Sequence, residues 1–308
     1  MGLNGYVVIG SAIVGLLVGL TGAGGGALMT PMLILLFNVK PVAAISSDLV
    51  AAVVMRPVGA AVHLRRGTVN LRLVGLMTLG SVPMAFLGAY LLRQLGHASS
   101  SQKNVEIVLG AALLAGAAAM VIRFVMDRKS GPRTGKAAEV EIRPVPTVLI
   151  GMVGGLMVGL TSVGSGSLMI VLLLFTYPLL SANQLVGTDL TQAVPLTAAA
   201  ALGALAFGHV EFGVTASIIV GSVPAVLIGS LFSSRAPDRY IRPAITFVIL
   251  ASGLKYVGVA TYPLAGTMGA ILAAGAGYWL ARTRPWRREP RVAEPVPALE
   301  PLDDVPVT

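Results

Sequence analysis

The sequence predicts an all-α polytopic membrane protein with two homologous repeats, each with a Gly/Ser-broken first helix, and one extra C-terminal helix. Of its 308 residues, 55% are hydrophobic and only 11% are charged, whereas soluble domains carry roughly 25% charged residues. The apolar residues also form long blocks, and about 20 helical residues cross the ~30 Å hydrocarbon core of a bilayer. A Gly-rich element near the start recurs in the second half.

The apolar residues fall into nine blocks separated by polar loops. The first and fifth blocks, 5–37 and 147–177, would each form about 46–50 Å of straight helix, more than one simple crossing requires. The other blocks are 42–64, 70–92, 104–125, 181–207, 211–233, 241–258 and 262–281. The fourth and fifth blocks are joined by a polar stretch with five Lys and Arg residues.

An internal repeat relates the two halves of the chain. Residues 15–29 read GLLVGLTGAGGGALM and residues 155–169 read GLMVGLTSVGSGSLM, which are identical at ten of fifteen positions. Later matches pair Asp48-Leu49 with Asp189-Leu190, Gly67 with Gly208, Gly80-Ser81-Val82-Pro83 with Gly221-Ser222-Val223-Pro224, and Gly88 with Gly229. We therefore predict five parts: a first membrane repeat (1–125), a cytoplasmic linker (126–146), a second membrane repeat (147–258), an additional transmembrane helix (259–281) and a disordered cytoplasmic tail (282–308).

The distribution of Lys and Arg predicts how the repeats are oriented, because cytoplasmic loops carry an excess of these residues. The basic loops after the second and seventh blocks, the linker and the tail all become cytoplasmic if the fifth block is a hairpin entered from the cytoplasm. By symmetry the first block is then a hairpin entered from outside, and the halves are inverted. The alternative is a kinked single crossing in each half, with the halves parallel.

The two Gly/Ser-rich breaks in matching positions predict a binding site. A broken helix at membrane depth leaves backbone N–H groups that are costly unless something binds them. Helix N-termini favour anions, because their N–H groups and the helix dipole both point at the ligand. The candidate residues are Thr21, Gly22, Gly24, Gly25 and Gly26 in the first break and Thr161, Ser162, Gly164, Ser165 and Gly166 in the second. The alternative is that these glycines serve only close helix packing.

Four polar residues outside the breaks are further candidates. Asp48 and Asp189 occupy equivalent places in the repeats, where they either cap helices or act in proton coupling beside the substrate site. Arg56 interrupts an apolar segment, and its planar guanidinium suits a carboxylate, sulfonate or phosphate. Its alternatives are pairing with Asp48 and snorkelling to the surface. Gln192, one turn beyond Asp189, is predicted to line the same cavity.

These elements resemble the TauE/SafE family of sulfite and organosulfonate exporters. The resemblance covers roughly residues 5–258. It rests on Gly19-Leu20-Thr21-Gly22-Ala23-Gly24-Gly25-Gly26 and its counterpart 159–166, on Ser46-Ser47-Asp48 and Gly187-Thr188-Asp189, and on the two Gly-Ser-Val-Pro elements. It implies an integral plasma-membrane permease for sulfur-containing anions such as sulfite, thiosulfate or sulfoacetate. The residues by themselves favour an anion and fit sulfonate, carboxylate and phosphate equally.

The function predicted is a secondary transporter that exports or imports a small anion through a site between the two repeats. An anion channel, or a carrier for carboxylates without sulfur, is the alternative. We expect no enzyme activity, cofactor or metal, since the apolar blocks hold no catalytic His/Glu or Ser/His set and no metal-ligand spacing. The expected partners are the anion and the lipid bilayer. Nucleic acid is not expected, because the basic residues behind the +9 charge lie in loops and tail. A homo-oligomer is compatible with the sequence.

Overall fold

The computed structural model describes residues 3–21, 25–97, 101–130, 141–232 and 238–260, together with 266, 269 and 270. The chain divides into two units, Met1–Leu264 and Ala265–Thr308. All ten helices named below belong to the first unit. The extra helix predicted over 259–281 and the tail over 282–308 lie almost wholly outside the described residues.

Helices account for all the regular structure in the described part of the chain, as predicted. They are α1 Gly5–Thr21, α2 Gly26–Phe37, α3 Pro41–Arg65, α4 Leu71–His97, α5 Ser101–Ser130, α6 Pro144–Thr161, α7 Leu168–Thr176, α8 Ala182–Phe207, α9 Phe212–Phe232 and α10 Asp238–Tyr256. Six of these, α3, α4, α5, α6, α8 and α9, are long and apolar enough to cross a membrane. The prediction of a multi-pass membrane protein is confirmed at this level.

The surface of this bundle is apolar, as expected of a protein surrounded by lipid. Large hydrophobic side chains such as Leu79, Leu202 and Leu231 are 62–72% exposed. Conversely, many polar side chains are almost completely buried in the interior. This distribution is the reverse of a soluble domain, where charged side chains are almost never fully buried unless they are paired.

Both long apolar blocks are divided into two helices, at the predicted Gly/Ser-rich breaks. The first block forms α1 and α2, and the fifth block forms α6 and α7. In the second break the backbone reverses through Ser162 at φ 59°, Gly164 at φ 130° and Gly166 at φ 86°. Positive φ is costly for residues with a Cβ and free for glycine, so the two glycines make this reversal feasible.

The two helices of each divided block fold back on each other. At the open end of the α6–α7 pair, the Tyr177 hydroxyl accepts a hydrogen bond from the Arg143 N–H at 2.9 Å and lies 2.5 Å from the Thr147 hydroxyl. In the α1–α2 pair, the Phe37 ring lies beside Gly10, so that a Cβ on this glycine would be 3.3 Å from the ring. The start of each block therefore lies next to its end.

The first helix of each repeat packs lengthwise against the fourth helix of the other repeat. Gly15 and Gly19 of α1 lie against Ser222 and Gly229 of α9, and α6 meets α4 in the same way. A Cβ on Gly155 of α6 would stand 2.6 Å from the Ser81 Cα. Residue numbers increase together along both pairs, so the paired helices are parallel. Small residues allow this approach, as is common between membrane helices.

The helices α3 and α8 pack against each other in the middle of the bundle and run antiparallel. Near the start of α3, the Ser47 hydroxyl accepts a hydrogen bond from the Glu211 N–H, just beyond the end of α8. Near the start of α8, the Thr188 hydroxyl accepts one from the Asn70 N–H, just beyond the end of α3. Each helix thus begins where the other ends.

The close packing of α6 on α4 predicts the effect of adding a single methyl group. Gly155→Ala places a Cβ against the Ser81 backbone, which should cost about 1–3 kcal/mol through overpacking. Gly75→Ala is the matched control, since no heavy atom lies within 4 Å of a Cβ there. Thermal unfolding of the purified protein in detergent should show a lower midpoint for Gly155→Ala alone. Equal midpoints for both variants would contradict the packing described here.

Candidate functional site

Polar side chains from both repeats are gathered in the interior of the bundle. Their exposed fractions are all 7% or less. They are Thr30 of α2, Asp48 and Arg56 of α3, Ser81 of α4, Ser162 and Ser165 of the second break, and Asp189 and Gln192 of α8. We call this set the central polar cluster. Polar groups are this well buried only where they bind each other or a ligand.

Asp48 connects three separate parts of the chain. Its Oδ2 accepts hydrogen bonds from the Thr30 hydroxyl at 3.0 Å and from the Ser162 hydroxyl at 2.7 Å. Thr30 belongs to the first repeat and Ser162 to the break of the second. Hydrogen bonds to a charged group contribute about 1.5–3 kcal/mol each, so Asp48 ties the second break to the first repeat.

The two breaks meet at this point. Gly26, the first residue of α2, lies so close to Ser162 that a Cβ on Gly26 would overlap the Ser162 backbone. Gly25 lies next to Met55, the neighbour of Arg56. The remaining predicted residues of the first break, Gly22 and Gly24, lie outside the described residues. The structure therefore brings together Gly25, Gly26 and the second break.

Arg56 is buried in the middle of α3, with 7% of its surface exposed. Its Nη1 has no hydrogen-bond partner. Asp189 and Asp48 are the charged groups near enough to interact with it electrostatically. The guanidinium does not snorkel to the surface, and its unpartnered Nη1 is available to an anion.

Asp189 is the carboxylate of the central polar cluster that has no hydroxyl donor. It is fully buried, and neither carboxylate oxygen has a hydrogen bond of normal geometry. Arg56, the backbone N–H of Gly166 and Arg123 of α5 interact with it electrostatically. Asp48 and Asp189 are equivalent in the sequence repeat, yet only Asp48 is held by hydroxyl donors.

Gln192 lies on the same side of α8 as Asp189 and contacts the other repeat. Its Nε2 donates to the Ser81 hydroxyl at 2.6 Å, while its buried Oε1 has no partner. The structure thus places Gln192 among the buried polar groups, and its Oε1 is an acceptor without a partner.

The hydroxyl groups of the breaks differ in what they bind. Thr21 and Thr161 each donate to a carbonyl of the preceding helix turn, of Leu17 and Met157 respectively. Ser162 is engaged by Asp48. Ser165 is 3% exposed and its hydroxyl has no partner. Of the second-break hydroxyls predicted to meet a ligand, Ser165 is therefore the one that is unengaged in this conformation.

The helix-capping interpretation of Asp48 and Asp189 is corrected by the structure. The helix α3 begins at Pro41 and α8 begins at Ala182, so both carboxylates lie about two turns inside their helices. The N-cap of α8 is Ser181, which forms a capping box with Gln184. Sequence proximity to Ser and Thr residues suggested capping, but these hydroxyls lie inside the helices as well.

Two members of the central polar cluster were not identified from the sequence. Thr30 is a single hydroxyl residue in the apolar run of α2, and only its position before Pro31 distinguishes it. Ser81 belongs to the repeated Gly-Ser-Val-Pro element, which was recognised as evidence of duplication but not as part of a site. The repetition of a polar residue, Ser81 and Ser222, within two apolar blocks was the sequence signal that could have identified Ser81.

This arrangement suits the binding of an anion better than covalent chemistry. It supplies an unpartnered guanidinium nitrogen, an unpartnered serine hydroxyl and the backbone of a broken helix. Among the residues that the structure describes, no group of three or more His, Cys, Asp or Glu side chains could hold a metal ion. Such donors can surround an oxyanion without reacting with it.

Comparisons with known proteins show that the chain is similar to membrane transporters. The family described as Sulfite exporter TauE/SafE matches residues 7–256. The chain is 37% identical to the "Probable membrane transporter protein YjnA" of Bacillus subtilis (strain 168) over 252 residues, which cover 82% of this chain and 98% of that protein. It is 22% identical to "Probable membrane transporter protein YdhB" of the same organism, over 80% of this chain and 98% of that protein. No solved structure gives a significant match.

The bonds to Asp48 predict a specific loss of stability. Ser162→Ala removes one donor from a buried carboxylate and should destabilise the protein by about 1–3 kcal/mol. Ser230→Ala is the control, since the Ser230 hydroxyl bonds only to Leu227 of its own helix. In thermal unfolding, Ser162→Ala should have the lower midpoint, and the same change should cost less when Asp48→Asn is already present. Additive effects of the two changes would show that Ser162 and Asp48 are not coupled.

Proposed function

This chain belongs to the sulfite exporter TauE/SafE family of membrane transporters, and from that premise we propose that it is a secondary transporter for a small anion. The anion class that we propose is a sulfur oxyanion or an organosulfonate, bound between the two repeats. The observation that carries this proposal is Arg56, a buried guanidinium with an unpartnered nitrogen at the centre of the bundle. Sulfonate and oxyanion groups match the fork of donors that an arginine presents.

The second break supports the anion site, since its Gly166 N–H and Arg56 both interact with Asp189. It ends at Leu168, the first residue of α7, and its unpartnered Ser165 hydroxyl lies three residues before that helix. Gly164 and Gly166 carry no side chain that would keep a ligand from the backbone. The first break would contribute through Gly25 and Gly26, which lie beside Met55 and Ser162. We place Thr21, Thr161 and Ser162 beside this site as supporting residues, and a contribution from Gly22 and Gly24 rests on the sequence alone.

We propose further that the two repeats have inverted orientations. Three contacts support this: α3 and α8 are equivalent in the repeats and antiparallel, α1 is parallel to α9, and α6 is parallel to α4. With α3 and α4 crossing in opposite directions, the α1–α2 pair then enters and leaves on one side, and the α6–α7 pair does so on the other. The basic loop after α3 and the linker lie on the same side, which the positive-inside rule assigns to the cytoplasm.

A carrier is favoured over the alternative of an anion channel by the burial of the central polar cluster. Arg56, Asp48, Asp189 and Gln192 are each 7% exposed or less, so the site is closed in this conformation. A channel needs a continuous path, whereas a carrier passes through a closed state. In inverted-repeat transporters the halves rock about such a mid-membrane site.

The proposed topology is tested by cysteine labelling, for which a chain without cysteine is suited. Lys40→Cys lies after the α1–α2 pair, and Leu179→Cys lies at the equivalent turn after the α6–α7 pair, where Leu179 is 70% exposed. An impermeant maleimide should label Lys40→Cys in intact cells and Leu179→Cys only after the membrane is opened. Labelling of both sites from the same side would mean that the repeats are parallel.

The role of Arg56 is tested by transport in proteoliposomes that contain the purified full chain. We expect saturable movement of at least one of sulfite, thiosulfate and sulfoacetate over a lactate control. Loss of a charge-assisted hydrogen bond of about 1.5–3 kcal/mol should weaken the apparent affinity of Arg56→Ala roughly 10- to 100-fold. Arg72→Ala removes a cation from an exposed position at the start of α4 and should transport normally.

Arg56→Lys keeps the positive charge and separates the geometric role of the guanidinium from its charge. Each variant is first shown to be folded by its thermal midpoint. Normal transport by folded Arg56→Ala would remove Arg56 from the anion site. Movement of lactate alone would support the carboxylate alternative, and lack of saturation would favour a channel.

A further inference from the structure

The two equivalent carboxylates of the repeats have different surroundings, and this difference points to different roles. Asp48 accepts two hydrogen bonds, from Thr30 and Ser162. Asp189 is 0% exposed, and neither of its oxygens has a hydrogen bond of normal geometry. An ionised carboxylate without hydrogen-bond donors is one of the most expensive groups to bury. Asp48 therefore has hydroxyl donors that hold it in place, whereas Asp189 has none and can gain a hydrogen bond only by binding a proton or a mobile partner.

We propose that Asp189 is the proton-binding group of this transporter, and that one proton on its carboxylate crosses the membrane together with each anion held at Arg56. The inference rests on the proposed anion site and adds the coupling ion to it. The proton is taken up from water by an Asp189 oxygen on one side of the membrane. It is released to water on the other side, and no other bond forms or breaks.

The charges around the site explain why the proton and the anion bind together. The charged groups facing Asp189 are Arg56 of α3 and Arg123 of α5, and the Gly166 backbone N–H also points toward it. Arg56 and Arg123 balance Asp48 and Asp189 when all four are ionised, so an incoming anion leaves negative charge in excess. A proton on Asp189 removes one unit of that excess and frees Arg56 to pair with the anion.

The position of Asp189 gives the proton a short way out. Asp189 lies about two turns, or ~10 Å, from the start of α8. Gly187, which lies between Asp189 and the start of α8, is next to His63 and Thr68. The His63 Nδ1 lies 3.1 Å from the Thr68 hydroxyl. In the topology proposed above this end of α8 faces the cytoplasm. His63 is therefore a titratable group near the same end of α8 that is not assigned the proton, and it serves as the control.

Infrared spectroscopy tests proton binding without any transported anion. When the pH of the full chain in liposomes is lowered, the difference spectrum should gain a band from a protonated carboxyl group. Asp189→Asn should abolish this band, while Asp48→Asn and His63→Gln should retain it. The proposal is overturned if the band is missing from the wild type, or if it persists in folded Asp189→Asn.

Transport of thiosulfate, whose own charge is constant near neutral pH, tests the coupling. With the membrane potential clamped at zero, an inward gradient of about one pH unit should accumulate thiosulfate about tenfold per coupled proton. Asp189→Asn, which mimics the protonated side chain, should keep thiosulfate counterflow and lose this accumulation. Asp189→Glu should restore it, and His63→Gln should not affect it.

The outcomes separate this inference from the proposed function. Counterflow without pH-driven accumulation in the wild type would leave a transporter and overturn proton coupling. Accumulation that survives in Asp189→Asn would assign the proton to another group. No counterflow by folded wild type would overturn the assignment of thiosulfate as substrate, and the infrared band would then decide alone whether Asp189 binds a proton.

Discussion

The way in which the two breaks meet depends on the two hydrogen bonds that the buried Asp48 accepts. A carboxylate inside a membrane protein is costly to bury, and the hydroxyl groups of Thr30 and Ser162 stabilise Asp48 by donating hydrogen bonds to it. Because Ser162 belongs to the second break, this interaction requires the α6–α7 pair to reach the interior beside α3. Where the α6–α7 pair reaches α3, Ser162 also lies against Gly26. The contact of the second break with Asp48 therefore also brings the two breaks together.

Close helix packing makes that arrangement sterically feasible. Glycines along α1, α4, α6 and α9 bring backbones so near that an added Cβ would clash. This packing surrounds the central α3–α8 pair with helices that lie parallel to their partners from the other repeat. Packing and binding are therefore not alternatives for the glycines of this chain: Gly155 and Gly159 serve contacts between helices, whereas Gly164 and Gly166 adopt positive φ in the break.

Sequence periodicity and length were enough to predict the helical membrane fold and the two breaks. These features depend on hydrophobicity and on an offset between two segments, which a sequence displays directly. The partners of Asp48 could not be predicted, because Thr30 and Ser162 reach it from residues 18 and 114 positions away. The start of α3 was predicted to within one residue, and the capping interpretation failed because Asp48 lies about two turns inside a helix that begins at Pro41.

Duplication supplied a symmetric framework, but function requires that the two halves differ. Arg56 is matched in the second repeat by Thr197, whose hydroxyl bonds to Ala193 of its own helix, so the guanidinium of α3 has no counterpart in α8. Gln192 is matched by Ala51, and the hydroxyl donors are concentrated on Asp48. A strictly symmetric arrangement would carry either two cations or none at this position. Loss of symmetry at a few buried positions thus leaves the shared helix packing intact, with one buried guanidinium that has an unpartnered nitrogen and one carboxylate without hydroxyl donors.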